Sequence, residues 1–266
     1  MRTDGEQWTL EQLQQLLDAR FRPLAVVRFL LASQRRAACV RRARPEVARR
    51  EALWATLGAS AWLALAALRV DPFRGRLRPG LGGWAITVVM LDWHLGMLET
   101  PDGHARNLGP ADAATLIRAW LVPAVADRPS VALCAVGFAT DALDGPLARA
   151  SQPTRLGRDL EGFVDAAFTL AALRGARRRG WLDRPALAGE AVRVSVGLAY
   201  AVAAYFGHAA APDPRVLRAG RAAAPVRAAG TILVGAGRRR LGGSLLVAGS
   251  MLSVALALSA AGSAAR

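Results

Sequence analysis

The sequence contains no lysine: its 35 basic residues are all arginine, set against 20 acidic ones, for a formal net charge of +15. Ala, Gly and Arg are enriched together, as GC-rich coding produces, so the missing lysine carries no functional message. Cysteine is scarce. Cys39 and Cys134 are the two in the chain and lie far apart, which excludes a disulfide framework and any metal-thiolate spacing. There is no Ser/His/Asp elbow and no G-x-x-x-x-G-K loop, so neither triad hydrolysis nor a P-loop is indicated. Aromatic residues make up 6% of the chain and do not interleave with the basic ones, so no stacking platform for nucleic acid accompanies the charge. The first fifty residues lack an apolar core followed by a small-residue cleavage site, and no cleaved signal peptide is expected. An alternating strand pattern is absent throughout.

What remains is apolar. Hydrophobic residues reach 53% and the mean hydropathy is +0.24, too high for a soluble domain of this length. Apolar runs read as 53–70, 81–98, 113–126, 130–142, 163–173, 191–206, 222–235 and 241–260. The first has the length of a membrane span. Several others are short, so their helices must extend into polar flanks and carry charge to membrane depth, where it is costly and usually functional. Only helices or closed barrels satisfy the backbone in hydrocarbon. The expected fold is therefore an all-α, polytopic membrane helical bundle with eight candidate spans.

Residues 1–50 read as polar helix. Thr9 with Gln12, or Asp4 with Gln7, could start it, and Leu10, Leu13, Leu16 and Leu17 follow at helical spacing. A second stretch carries Val26, Val27, Phe29, Leu30 and Leu31, then Arg35, Arg36, Arg41, Arg42, Arg44, Arg49 and Arg50. Such an arm suits an anionic cytoplasmic membrane surface, or it is a solvated basic tail. It places the N-terminus in the cytoplasm. With eight spans, Arg174, Arg177, Arg178, Arg179 and Arg238–Arg240 then fall on the opposite side, against the positive-inside rule.

The segment richest in chemistry is ATDALDGPLARASQPTRLGRDLEGFVDAAF, residues 139–168. Asp141 and Asp144 share a helical face at a spacing of three. Gly157, Glu161 and Asp165, spaced by four, share another. Two adjacent helical segments thus each present two carboxylates. Four such charges at a membrane edge cannot sit unpaired, and all-oxygen ligation favours Mg²⁺ or Mn²⁺. Paired metals suit phosphoryl chemistry. Gly145, Ala148 and Gly157 lack bulk and would let a nucleotide or pyrophosphate approach the backbone, unless they serve helix packing, and Arg149 could hold a phosphate by a forked contact.

This pattern resembles the signature of the CDP-alcohol phosphatidyltransferase family, D-x-x-D-G-x-x-A-R, a spacer of seven or eight, then G-x-x-x-D-x-x-x-D. Every fixed position matches except one, where Glu161 stands for Asp. Asn107–Pro123, NLGPADAATLIRAWLVP, also looks like the family's first helix, with an Asn-Leu, a Thr and an Arg before a Pro. The resemblance covers about residues 107–262 and implies a six-helix catalytic core over 107–266. A basic N-terminal arm with two extra candidate spans would occupy 1–106.

The resemblance implies two divalent cations, Mg²⁺ or Mn²⁺, held by Asp141, Asp144, Glu161 and Asp165. Asp165 would also be the general base. Gly145, Ala148, Arg149 and Gly157 match nucleotide-contacting positions. The implied reaction is transfer of a phosphatidyl group from CDP-diacylglycerol to a small polar alcohol, releasing CMP, in phospholipid synthesis. The chain is then expected in the bacterial cell membrane as a homodimer, with its active site facing the cytoplasm, and with membrane lipids rather than nucleic acid as partners. Glu161 keeps the oxygen type and charge of a ligand, one methylene further out. The alternative is a catalytically inactive relative that binds lipid or nucleotide or acts as a scaffold. Asp92 and His94, beside Trp93, read as interfacial residues, and His104 and His208 as loop residues. Arg221 and Arg227 could bind a phosphate on the acceptor, whereas Arg215 and Arg218 read as a solvated loop.

Overall fold

The structure, a computed structural model, describes residues 3–100, 102–151, 154–207 and 212–264, except for the side chains at 144, 151, 158, 159, 206 and 264. The side chain of the expected ligand Asp144, and all of His208, lie outside the described residues. The helices are α1 (Asp4–Asp18), α2 (Pro23–Ala43), α3 (Pro45–Ala67), α4 (Leu77–His94), α5 (Pro110–Asp127), α6 (Val131–Ser151), α7 (Arg155–Arg178), α8 (Arg184–Val202), α9 (Pro214–Arg221), α10 (Ala224–Gly235) and α11 (Arg239–Ala264). Among the described residues there is no strand, only an isolated bridge between Glu99 and Ala105. The all-α expectation holds, and each apolar run has a helix beneath most of its length.

Local chemistry sets the helix starts. The first is capped by Thr3, in extended conformation, whose side chain accepts from the Glu6 N–H at 3.3 Å. This corrects the expected starts at Asp4 or Thr9: both lie inside the helix, because Thr3 and Glu6 supply the cap spacing one residue earlier. Prolines open α2 and α3, where a missing N–H costs nothing.

The chain divides into two compact units, 1–127 with 136–168, and 128–135 with 169–266. In the first, Leu91, Leu95, Leu98, Leu108, Leu116, Leu156 and Leu160 form a core with Ala37, Val47 and Trp84. Helices α3 and α4 exchange bulk for space. Trp84 fills the gap at Gly58 and donates its indole N–H to the Ala55 carbonyl at 2.8 Å, while Trp62 fills the gap at Gly80. Trp62 also meets Phe73 and Trp120 with ring centroids 4.9 and 5.1 Å away. A Cβ at Gly80 would lie 1.9 Å from the buried Trp62 ring, whereas one at Gly82 would meet nothing within 4 Å. Gly80→Ala is therefore expected to lower stability by about 1–3 kcal/mol through overpacking. Gly82→Ala should be neutral or slightly stabilising. Thermal unfolding of the two variants in detergent checks this; equal midpoints would refute the packing account.

In the second unit, Leu173, Ala176, Leu182, Ala186, Val234 and Leu246 make the core. Helices α10 and α11 approach backbone to backbone: a Cβ at Gly242 would lie 2.7 Å from the Gly230 carbonyl oxygen. Small residues at a helix contact are typical of association in membranes. Among the described residues, three helices are long and apolar enough to cross a bilayer, over Val131–Ala150, Arg184–Tyr205 and Arg239–Ser263. Their surfaces stay largely uncovered, with Val192, Leu198, Met251 and Leu258 exposed. Apolar surface on that scale is disfavoured in water and suits hydrocarbon.

Candidate carboxylate and arginine site

The helical spacing read from sequence is realised. Helix α6 runs unbroken through Asp141, and α7 through Gly157, Glu161 and Asp165. Thr154 starts α7, its hydroxyl accepting from the Gly157 N–H at 3.1 Å. The two helices are held together in the first unit by Phe138 and Phe168, edge to face at 5.6 Å, with Phe168 seated in the space left by Gly137.

This packing brings three of the expected ligands together. One carboxylate oxygen from each of Asp141, Glu161 and Asp165 lies within 4.8 Å of the other two, and all three side chains are half-buried. Glu161 reaches the group despite its extra methylene. Oxygens on one Mg²⁺ lie at most about 4.2 Å apart, twice its ~2.1 Å bond length. Small rotations of half-exposed carboxylates, or bridging between two ions, cover the difference. The donor set is all oxygen and anionic, which fits hard divalent cations.

A residue given no role by its sequence position completes the cluster. Arg118 of α5 is 1% exposed. Its Nε lies 2.7 Å from Asp165 Oδ1, and Nη2 lies 3.7 Å from Asp141 Oδ1. Its Nη1 donates to Thr140 Oγ1 at 3.5 Å, and that hydroxyl donates to the Gly137 carbonyl at 2.7 Å. Arg118 thus braces one carboxylate from each helix. Two signals marked it: it is the Arg before Pro123 in the stretch that resembles the family's first helix, and it stands inside the apolar stretch LIRAWLV, where ionisable groups are functional by default.

Asp112 is the second missed residue. It is buried, accepts the Gly109 N–H at 2.7 Å, and its other oxygen is 3.4 Å from the Thr154 hydroxyl. A Cβ at Gly157 would meet that oxygen at 3.2 Å. The close approach at Gly157 is therefore made by Asp112. At Gly145 the nearest group is the Arg149 guanidinium, 3.2 Å from where a Cβ would stand, so Arg149 folds back over the preceding turn. Arg149 itself is exposed and Ala148 half-buried.

The N-terminal helix is tied to the start of α7. Arg155 pairs with Glu6 at 2.7 Å and lies 3.3 Å from the Thr3 hydroxyl, while the Arg155 N–H donates to the Glu99 carbonyl at 3.1 Å.

The other candidates have structural partners. Asp92 pairs with Arg41 and accepts from Gln34 Nε2 at 2.8 Å; Trp93 donates to Gln34 Oε1, also at 2.8 Å. His94 Nδ1 lies 2.6 Å from the Met90 carbonyl. Arg227 does not present itself for an acceptor phosphate. It is buried in the second unit, bonded to Ser253, with its Nε 3.5 Å from Glu190. Glu190 is 0% exposed and also holds Arg193 and Ser250. A carboxylate so buried requires cationic partners, and this one binds both arginines. Arg221 is exposed. No family model, curated protein or solved structure matches the sequence.

Proposed function

We propose that this chain is an integral membrane enzyme of the CDP-alcohol phosphatidyltransferase type, transferring a phosphatidyl group from CDP-diacylglycerol to a small polar alcohol. The observation that carries the reading is the convergence of Asp141, Glu161 and Asp165 from two helices onto one half-buried point. Three helices of membrane-crossing length and apolarity support the setting. In this reading α5, α6, α7, α8, α10 and α11 form the six-helix core, and α3 and α4 are the additional N-terminal spans. The site faces the cytoplasm and the enzyme is a dimer.

Asp141, Asp144, Glu161 and Asp165 would hold two Mg²⁺ or Mn²⁺ ions. Such ions supply neutralisation of the phosphates and of the leaving oxygen. Asp165 takes the proton of the acceptor hydroxyl. The acceptor oxygen bonds to the lipid-side phosphorus, the bond from that phosphorus to the bridging oxygen breaks, and CMP leaves. Arg118 holds Asp165 and Asp141 in place through its fixed positive charge. Positioning of this kind is the main source of rate enhancement in phosphoryl transfer.

The experiment is CMP release by the full chain reconstituted in bilayers, given CDP-diacylglycerol and a panel containing inositol, inositol phosphate, glycerol phosphate and serine. Release is expected with one acceptor, in the presence of Mn²⁺ or Mg²⁺, and is lost in EDTA. No CMP with any acceptor and either metal would remove the enzymatic reading in favour of an inactive, lipid-binding relative.

A further inference from the structure

The arginines of α2, together with Arg44 at its C-terminal cap, fall into two sets. Those on the inner side are bound within the protein. Arg36 pairs with Asp4 at 2.7 Å and stacks over Trp8, Arg41 pairs with Asp92, and Arg44 donates to the Arg106 carbonyl at 2.9 Å. The buried Ser33 and Ala37 mark that same side, where α2 packs on α4. On the outer side Arg28, Arg35 and Arg42 follow one another at helical spacing, and among the described residues none has an ion-pair partner. Between and before them stand Leu24, Val27 and Leu31, which are 60, 49 and 50% exposed. The helix contains no acidic residue.

From this arrangement we infer that α2 lies in the plane of an anionic phospholipid surface, its aliphatic side chains entering the headgroup boundary and its outer arginines binding lipid phosphates. Each feature serves that partner. The aliphatics gain by leaving water. Arginine stems lie along the apolar boundary while their guanidiniums reach phosphate oxygens. The absence of carboxylates removes repulsion from anionic lipid. A nucleic acid would use the arginines but leave three aliphatics in water. The inference uses the membrane setting of the proposed function and not its catalysis. A failure here therefore leaves CMP release intact, and an inactive protein can still dock α2.

Cys39, exposed on α2, provides the reporter, because the other cysteine, Cys134, is buried. The full chain, labelled at Cys39 with an environment-sensitive fluorophore, is reconstituted in phosphatidylcholine bilayers and in 3:1 phosphatidylcholine–phosphatidylglycerol bilayers. Lipid-borne nitroxide and aqueous, uncharged acrylamide serve as quenchers. In the anionic bilayer, nitroxide quenching is expected to rise and acrylamide quenching to fall several-fold, and the effect should weaken at high salt. The R28Q/R35Q/R42Q variant should reverse it. Three arginines near an anionic surface correspond to roughly a hundredfold change in the ratio of docked to undocked helix. These substitutions sit on the outer face, so an unchanged unfolding midpoint verifies the fold. Equal quenching in the two bilayers, or a variant that behaves like the parent, would overturn the inference. So would protection of Cys39 by added duplex DNA but not by anionic lipid.

Discussion

Asp165→Asn is expected to abolish CMP release, with a drop in kcat of roughly a thousandfold, inside the hundred- to ten-thousandfold range of general-base catalysis. Asparagine occupies the same volume and still offers an oxygen to Arg118 Nε, now 2.7 Å from the aspartate. It cannot accept the acceptor's proton. Because Asp165 also belongs to the carboxylate cluster, metal affinity should fall as well. The two effects separate experimentally: raising Mn²⁺ restores occupancy without restoring turnover. A variant whose turnover returns to the parental value at high Mn²⁺ would show that Asp165 is a ligand only, and the assignment of the base would fail.

Arg118→Leu carries the second large effect, on stability. Removing one partner from a buried ion pair leaves the other charge uncompensated, at a cost of about 3–5 kcal/mol. Arg118 is itself buried, whereas Asp165 and Asp141 are 30 and 37% exposed at the side chain, so water relieves part of that cost. The expected fall in unfolding midpoint is on the order of 10 °C. Mn²⁺ should stabilise this variant more than the parent, since a divalent cation replaces the missing positive charge. The double variant Arg118→Leu with Asp165→Asn should lose less than the sum of the single losses, with a coupling of about 1–3 kcal/mol. Additive losses, together with equal Mn²⁺ stabilisation of parent and variant, would mean that Arg118 serves packing rather than the carboxylates.

Much of this molecule was legible before its tertiary arrangement. The apolar runs marked the helices because hydrocarbon-length stretches of Ala, Leu and Val have few other options. The spacing of Gly157, Glu161 and Asp165 put three residues on one face because 3.6 residues make a turn, and a run of helical residues through Arg178 keeps that period. Glu161 keeps the charge and oxygen type of an aspartate, and its carboxylate does reach those of Asp141 and Asp165.

What the sequence could not announce is which surface meets which. Arg118 stands 23 residues before Asp141 and 47 before Asp165, and no periodic pattern joins α5 to both. The exchange of Trp62 and Trp84 for the gaps at Gly80 and Gly58 depends on how α3 and α4 cross. The division of the α2 arginines into bound and outward sets depends on where Asp4, Asp92 and the Arg106 carbonyl come to lie. Sequence alone determined helix content, the apolar character suited to a membrane and the faces of the carboxylates. Tertiary structure decided the partners, for a physical reason: helical periodicity is a local property of the backbone, while hydrophobic packing is non-directional and selects neighbours only through the fit of the whole surface.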